Sequence, residues 1–404
     1  MKKILSRIYY FSLFQFVIKG VILVVVLPFL IILIIISRYK RKPIQIGFGP
    51  EPLINNLYHK RALEEFGFTA ETFVNQVYFI TDEFDIRVDK LPFPINILSN
   101  YLLGFMVLWR YECLYIYYNG GPFAWTLLAK WEPLIYRFAK IKIHVTAYGG
   151  DVHDLRRVVN LNFKRALDND YPMFYLQQVK TEKQVARWSK YGTHISSGCD
   201  WVYYVPHWHT LMLGHFCIDL AKIHFNSNES IPKKFNSKRP LRLFHAPNHK
   251  AIKGSNFFIN AVKELREEGC AIELNLKQGV PNSEIQESIQ DCDVVLDQLI
   301  IGWYAMFSIE AMSHGKPVVC YLSEELLEFY TVAGLITPHE VPIINASALN
   351  VKSIICDIYT GKIPLKNLGI NGRKFVEKHH SLEVIGEKFA YINQLMDINP
   401  VVKK

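Results

Sequence analysis

Four short stretches of this chain bring together residue types that could hold an anion or move a proton. The first, Gly47-Phe48-Gly49-Pro50, follows an apolar strand-like run and precedes a helical pattern. Glycines in such a turn let the backbone approach a phosphate or a sugar. Gly47 and Gly49 lack the third glycine and the acidic residue of a dinucleotide fingerprint, so a tight turn without a ligand is an equal reading. The second stretch runs from Thr146 through Tyr148-Gly149-Gly150-Asp151-Val152-His153 to Asp154. It sets an acid and an imidazole beside two glycines, where Asp151 and His153 could orient hydroxyls or transfer protons. Asp151 could equally cap the next helix. The third, His245 to Lys250 followed by Lys253-Gly254, puts lysines at a strand-to-helix turn. An ammonium there adds its attraction to that of free backbone N–H groups, which suits a diphosphate; a plainly solvated lysine is the alternative. The fourth, GWYAMFSIEAMSHGKPVVCY from Gly302 to Tyr321, carries a single carboxylate, Glu310. A helix starting near Met306 to Ser308 places Glu310 in its first turn. There it could accept two hydrogen bonds from the vicinal hydroxyls of a ribose, or simply complement the helix macrodipole.

These residues need elements to position them, and the apolar pattern supplies two series. IQIGFG, ECLYIYY, IKIHVTAYGG, HISSGC and WVYYVP read as strands, and NLYHKRALEEFGF has the 3.6-residue period of a helix ending in glycine. After the polar, proline-broken text FNSNESIPKKFNSKRP the pattern starts again: strand LRLFHAP, helix NFFINAVKELREEG, strand AIELNLK, helix SEIQESIQDC, strand DVVLDQ, helix FSIEAMSHG, strand PVVCYL. Such alternation predicts an α/β fold of two doubly wound, Rossmann-like domains. Ligands of these sheets sit beyond the carboxyl ends of the strands, so two such domains facing a cleft would bring all four stretches to it. The last helical text, SLEVIGEKFAYINQLM, could pack on either domain.

The chain has 404 residues, half of them hydrophobic and 21% charged, with a net charge of +9. That length calls for two cores. Gly20 to Ile36 is uncharged and apolar, and with its flanks, Phe14 to Ser37, it reaches bilayer length, Lys19 snorkelling and Pro28 tolerated. No small-residue cleavage site follows, which speaks against a signal peptide. Two arrangements stay open: a spanning helix, or an in-plane anchor, because Lys2, Lys3, Arg7 and Lys19 load the near side too. The denser cluster Arg38, Lys40, Arg41, Lys42 follows the run, so the positive-inside bias places the globular part in the cytoplasm and membrane contact at residues 14–42. Anionic lipid is the natural partner of this charge, and no nucleic-acid motif accompanies it. Seven scattered cysteines without a C-x-x-C pair argue against a disulfide framework and a zinc site.

DVVLDQ, an aromatic-rich loop and then SIEAMSHGKPVVCY together resemble the nucleotide-binding motif of family 4 glycosyltransferases. Glu310, Ala311, Met312, Gly315, Lys316, Pro317, Val318 and Val319 match that family's "EAMA.GKPVV" pattern, and Lys253-Gly254 stands in place of its phosphate-binding Lys-Gly. The resemblance covers roughly the last third of the chain and weakly continues through GFGP and TAYGGDV. It implies the GT-B fold and a retaining hexosyltransferase that moves a sugar from a nucleotide-diphosphate sugar to a hydroxyl acceptor. With the apolar run, it implies a lipid-linked saccharide or glycan acceptor, as in polysaccharide or glycolipid assembly. Gly47, Gly49, Lys253, Gly254 and Ser308 would hold the diphosphate, Glu310 the ribose, and Asp151, His153 and Tyr148 would act at the sugar. The resemblance implies no cofactor and no metal, and no D-x-D motif is read as demanding one. Its departures are Gly302, where the family usually has a second glutamate; Tyr148, where a histidine often stands; and Asn248, His249 and Lys250 in place of an arginine. Trp303, Tyr304 and His153 are candidates to replace what is absent. A non-catalytic sugar-nucleotide sensor or assembly subunit is the competing reading. The expected divisions are an anchor at 1–42, a first domain at 43–224, a linker at 225–240, a second domain at 241–380, and a C-terminal helix and tail at 381–404.

Overall fold

The structure, a computed structural model, describes residues 2–78, 81–225 and 231–401, with side chains from Phe16 onward. Residues 226–230 of the expected linker, and the side chains of Lys2, Lys3 and Arg7, lie outside that description.

Among the described residues the fold is α/β, built on two parallel sheets. The first contains β1 (Ile44–Phe48), β2 (Ala70–Val74), β3 (Ile86–Arg87), β4 (Tyr111–Tyr117), β5 (Lys142–Thr146), β6 (His194–Ser197) and β7 (Thr210–Leu211), in the order β3-β2-β1-β4-β5-β6-β7. The second contains β8 (Leu241–His245), β9 (Ile272–Leu276), β10 (Val294–Leu296), β11 (Val318–Cys320) and β12 (Ile344–Asn345), in the order β12-β11-β10-β8-β9. Around the first sheet lie α1 (Lys2–Tyr39), α2 (Ile54–Glu65), α3 (Ser99–Arg110), α4 (Glu132–Phe138), α5 (Leu161–Asp170) and α6 (Gln178–Tyr191). The later helices are α7 (Lys250–Lys253), α8 (Ser255–Glu267), α9 (Asn282–Asp291), α10 (Met306–Ser313), α11 (Glu324–Val332), α12 (Val351–Tyr359), α13 (Leu365–His379) and α14 (Leu382–Leu395). β1 and β4 are buried almost along their whole length because helices cover both faces of the sheet, which is why their text is continuously apolar rather than alternating.

WVYYVP departs from its strand reading. Residues Cys199–Tyr203 form a 3-10 turn that begins with Cys199 at a φ of 52°, and Trp201 stacks on His215. A short apolar run has no period of its own, so the turn and its packing partners decide. The closing helix α14 returns to the first domain, laying Phe389 against Tyr115 and His59 beside α2.

Phe16–Tyr39 is apolar and long enough to cross a membrane. Its later half is also a packing surface. Leu23, Val26, Leu30, Leu33 and Ser37 recur every three or four residues, one stripe that meets the first domain, and α1 lies on α3 and α4. The helix end is fastened: Arg38 donates to the Phe138 carbonyl at 3.2 Å, and Lys42 donates to Ser37 Oγ at 2.7 Å and to the Leu108 carbonyl. Part of the basic cluster expected to face lipid is therefore spent on joining α1 to the domain.

Candidate functional site

Strand order reverses between β1 and β4 in the first sheet and between β8 and β10 in the second. Loops diverge at such points and leave a crevice. A cavity of about 150 Å³ is lined by Ala246, Asn248, Lys277, Asn282 and Glu310 of the second domain and by Ile54, at the start of α2 in the first.

Glu310 is the fifth residue of α10, just past the first turn in which the sequence reading put it, and is only 4% exposed. Its carboxylate accepts from Asn282 Nδ2 at 2.8 Å. Burial pushes its pKa up to about 7, the charge of Asp297 adds to that, and hydrogen bonds from Asn282 and Gln286 hold it back. A buried carboxylate beyond the first turn gains little from the macrodipole. Its placement at a cavity wall instead leaves it available to a ligand with hydroxyl donors.

Lys253 and Ser308 come together through Asp297, at the end of β10. Asp297 is fully buried, bonds Lys253 Nζ, and accepts from Ser308 Oγ at 2.6 Å. The sequence reading passed over Asp297, although it is the second of the two acids in DVVLDQ. Gly254 joins α7 to α8 directly after Lys253. The α7 turn is covered from the other domain: Asp170, at the end of α5, accepts from the backbone N–H groups of Ala251 at 3.2 Å and Ile252 at 2.8 Å. Tyr171 hydrogen-bonds His249, and Asn160 donates to the Ile300 carbonyl at 2.6 Å, so α5 clasps the second domain at both ends.

In the first domain, a Cβ on Gly47 would fall 2.5 Å from the Tyr111 ring and one on Gly49 2.0 Å from the Phe73 carbonyl, so both glycines serve close packing of the β1 end. Asp151 is buried and accepts from the backbone N–H groups of Tyr118 at 2.9 Å and of Tyr148 and Gly149 at 3.0 Å. It thereby ties the ends of β4 and β5 together; burial raises its pKa to about 6 despite these bonds. His153 turns inward beneath Gly149 to Asp200 at 3.3 Å. Tyr148 points to Asn119, whose Nδ2 donates to the Tyr148 hydroxyl at 2.7 Å and to Glu51 Oε1 at 2.8 Å. Glu51 is a further buried carboxylate, its pKa raised mainly by burial, and it stands at the sheet reversal where β1 meets β4. Its signal was legible: an acid two residues after Gly49, in a strand-to-helix turn.

Trp303 and Tyr304 are not cleft residues. They are 2% and 1% exposed; Trp303 Nε1 donates to the Leu213 carbonyl of the first domain at 3.1 Å, and the Tyr304 hydroxyl meets His380 at 2.9 Å. Large aromatic surfaces with one polar atom suit a seam between domains. Gly302 has a φ of 104°, which a glutamate would adopt only with strain. Two Asp-x-Asp spacings do occur. Asp170 of the first is taken by Ala251 and Ile252, and Asp293 of the second by Arg239 and Arg242. Among the described residues, no group of three or more His, Cys, Asp or Glu side chains is placed to hold a metal ion.

No protein-family model and no curated protein matches the chain. The fold is similar to that of sucrose-phosphate synthase from Thermosynechococcus elongatus, with a TM-score of 0.56 over 88% of this chain and 99% of that one at 12% identity. WaaG, a glycosyltransferase involved in lipopolysaccharide biosynthesis, aligns with a TM-score of 0.47 over 86% of this chain and 99% of its own, also at 12% identity. The two-domain GT-B arrangement is thus shared with sucrose-phosphate synthase, at an identity that speaks for fold alone.

Proposed function

We propose that the protein is a family 4-like, retaining hexosyltransferase that moves a sugar from a nucleotide-diphosphate sugar to a hydroxyl of a lipid-linked acceptor. The observation that carries this reading is Glu310: a buried, ligand-available carboxylate in a cavity lined by both domains, at the reversal of the second sheet. Glu310 accepts hydrogen bonds from the ribose, with Asn282 fixing one of its oxygens. Cleavage of the donor leaves negative charge on the diphosphate and an oxocarbenium-like sugar. Cations already in place lower that barrier because they need no reorganisation. Lys277 lines the cavity, and Lys253 is held by Asp297. Gly47, Gly49 and Gly254 give the close-packed turns around the diphosphate, with Ser308 at the start of α10. Asp151 fixes the backbone from which Tyr148 and, through Asn119, Glu51 reach toward the sugar, while His153 supports that loop through Asp200. No metal is required. α1 holds the protein at a membrane with the globular part on the cytoplasmic side, which suits polysaccharide or glycolipid assembly.

The test is nucleoside diphosphate release from a panel of UDP-, GDP- and ADP-sugars by membranes carrying the wild-type chain or Glu310→Ala, with and without a cellular lipid extract. The expected outcome is release from one donor that depends on lipid and falls at least about a hundredfold in the variant, the scale of losing two hydrogen bonds to a charged group. Nucleotide binding without release from any donor would instead establish a sensor or assembly subunit, a reading favoured by Gly302 and by the Asp170 cap on the α7 turn.

A further inference from the structure

The first domain holds a second cavity, of about 410 Å³, whose walls are α6 and the segment from Ala124 to Glu132 that leads into α4. Lys180, Lys183 and Arg187 fall at i, i+3 and i+7 on α6 and share one face. Lys130 lines the opposite wall. Arg187 donates to the Ala129 carbonyl at 3.0 Å and so fixes one wall to the other. The three lysines are exposed, and among the described residues none has an acidic partner. Glu132, the acid of the lining, is buried and committed elsewhere: it accepts from the N–H groups of Gly121 and Phe123 and from the Tyr136 hydroxyl. Four cations in one groove repel one another, and an entering anion relieves that repulsion.

The surroundings identify the anion. Leu176 and Val179, exposed on the α6 side, form an apolar rim, and the exposed Trp131 stands in the chain between Lys130 and Glu132 of the opposite wall. α4 begins at the cavity with Glu132 and ends at Phe138, whose carbonyl takes Arg38 of α1. Seven residues of helix span about 10 Å, so the groove opens one short helix away from the docked end of the apolar helix. At its inner end lies Asn119, whose carbonyl accepts from Gln184 and whose amide holds Glu51 and Tyr148. The groove therefore runs from the start of α4, whose far end meets α1, to Asn119 and the Glu51 and Tyr148 side chains that it holds.

We infer that this groove binds the phosphate-bearing headgroup of a membrane lipid, the lysines and Arg187 taking the phosphate and the apolar rim taking the start of the chain. This rests on the proposed transfer to a lipid-linked acceptor and gives that acceptor its chemical class. The full-length protein in nonionic detergent is titrated with hexadecyl phosphate, hexadecanol and inorganic pyrophosphate, read by tryptophan fluorescence, alongside separate nucleotide titrations. Each surface cation near a phosphate lipid is worth about fivefold in affinity, so the double variant Lys180→Gln, Lys183→Gln is expected to bind hexadecyl phosphate roughly 30-fold more weakly and nucleotide unchanged. Glu310→Ala is expected to do the reverse, which separates failure of the groove from failure of the donor site. Equal binding of hexadecyl phosphate to the wild type and the double variant, or binding no tighter than that of hexadecanol, overturns the assignment. Pyrophosphate binding as tightly as hexadecyl phosphate overturns the lipid as the source of the anion. Both lysines are exposed, so the thermal unfolding of the double variant should match that of the wild type.

Discussion

Glu310 carries a measurable cost for its position. In the folded chain its pKa is about 7 against an ordinary value of 4.5, so between those pH values the folded protein keeps a proton that the unfolded chain has lost. Stability contributed at this site is therefore full below about pH 4.5 and falls as pH rises to about 7. Glu310→Gln keeps the shape and the acceptor for Asn282 without the charge. It should stabilise the protein on the order of 3 kcal/mol at pH 8 and little at pH 4.5, measured by denaturant unfolding in detergent. An equal change at both pH values would show that the carboxylate is not held protonated by its surroundings. The same variant separates stability from function, because the proposed ribose contact needs the acceptor pair of the ionised carboxylate. At this scale the motif was legible and the partners were not. Glu310 could be read from SIEAMSHGKPVVCY, whereas Asn282 lies 28 residues earlier and Asp297 at the end of another element, linked only through space.

The turn after β1 is the element on which the first domain depends. Gly49 passes so close to β2 that any Cβ would strike the Phe73 carbonyl. Gly49→Ala should destabilise by roughly 3 kcal/mol or prevent folding, the upper range for overpacking against backbone that cannot yield. Unchanged thermal unfolding of the variant would mean that the β1 and β2 ends can part. Many elements were legible because helix and strand periods differ: the texts of β1, β4, β5, β6 and β8 to β11, and of α2, α8, α9, α10 and α14, all form as read. WVYYVP misled because five apolar residues fit a buried strand and a packed turn equally well; Trp201 stacking on His215 decided between them.

Across the whole molecule the two domains are joined by α5, by the aromatic seam at Trp303 and Tyr304, and by α14. The α5 clasp bears on activity, since the Asp170 carboxylate holds two N–H groups of the turn beside Lys253-Gly254. A diphosphate bound at that turn competes with it. Asp170→Ala should therefore tighten nucleoside diphosphate binding about fivefold, the worth of a charge-assisted hydrogen bond no longer to be displaced; calorimetric titration checks this, and weaker binding would make Asp170 a support of the site rather than its rival. By itself the sequence determined the α/β class, the repeated sheet pattern, the apolar N-terminal helix and the glutamate motif, because each is written in the period or order of neighbouring residues. Only the tertiary structure decided that Asp151 braces two strand ends, that Trp303 and Tyr304 are seam rather than cleft, that α1 packs on α3 and α4, and that Glu51 meets Tyr148 through Asn119. Those outcomes depend on contacts between residues far apart in the chain, and such contacts leave no local period to read.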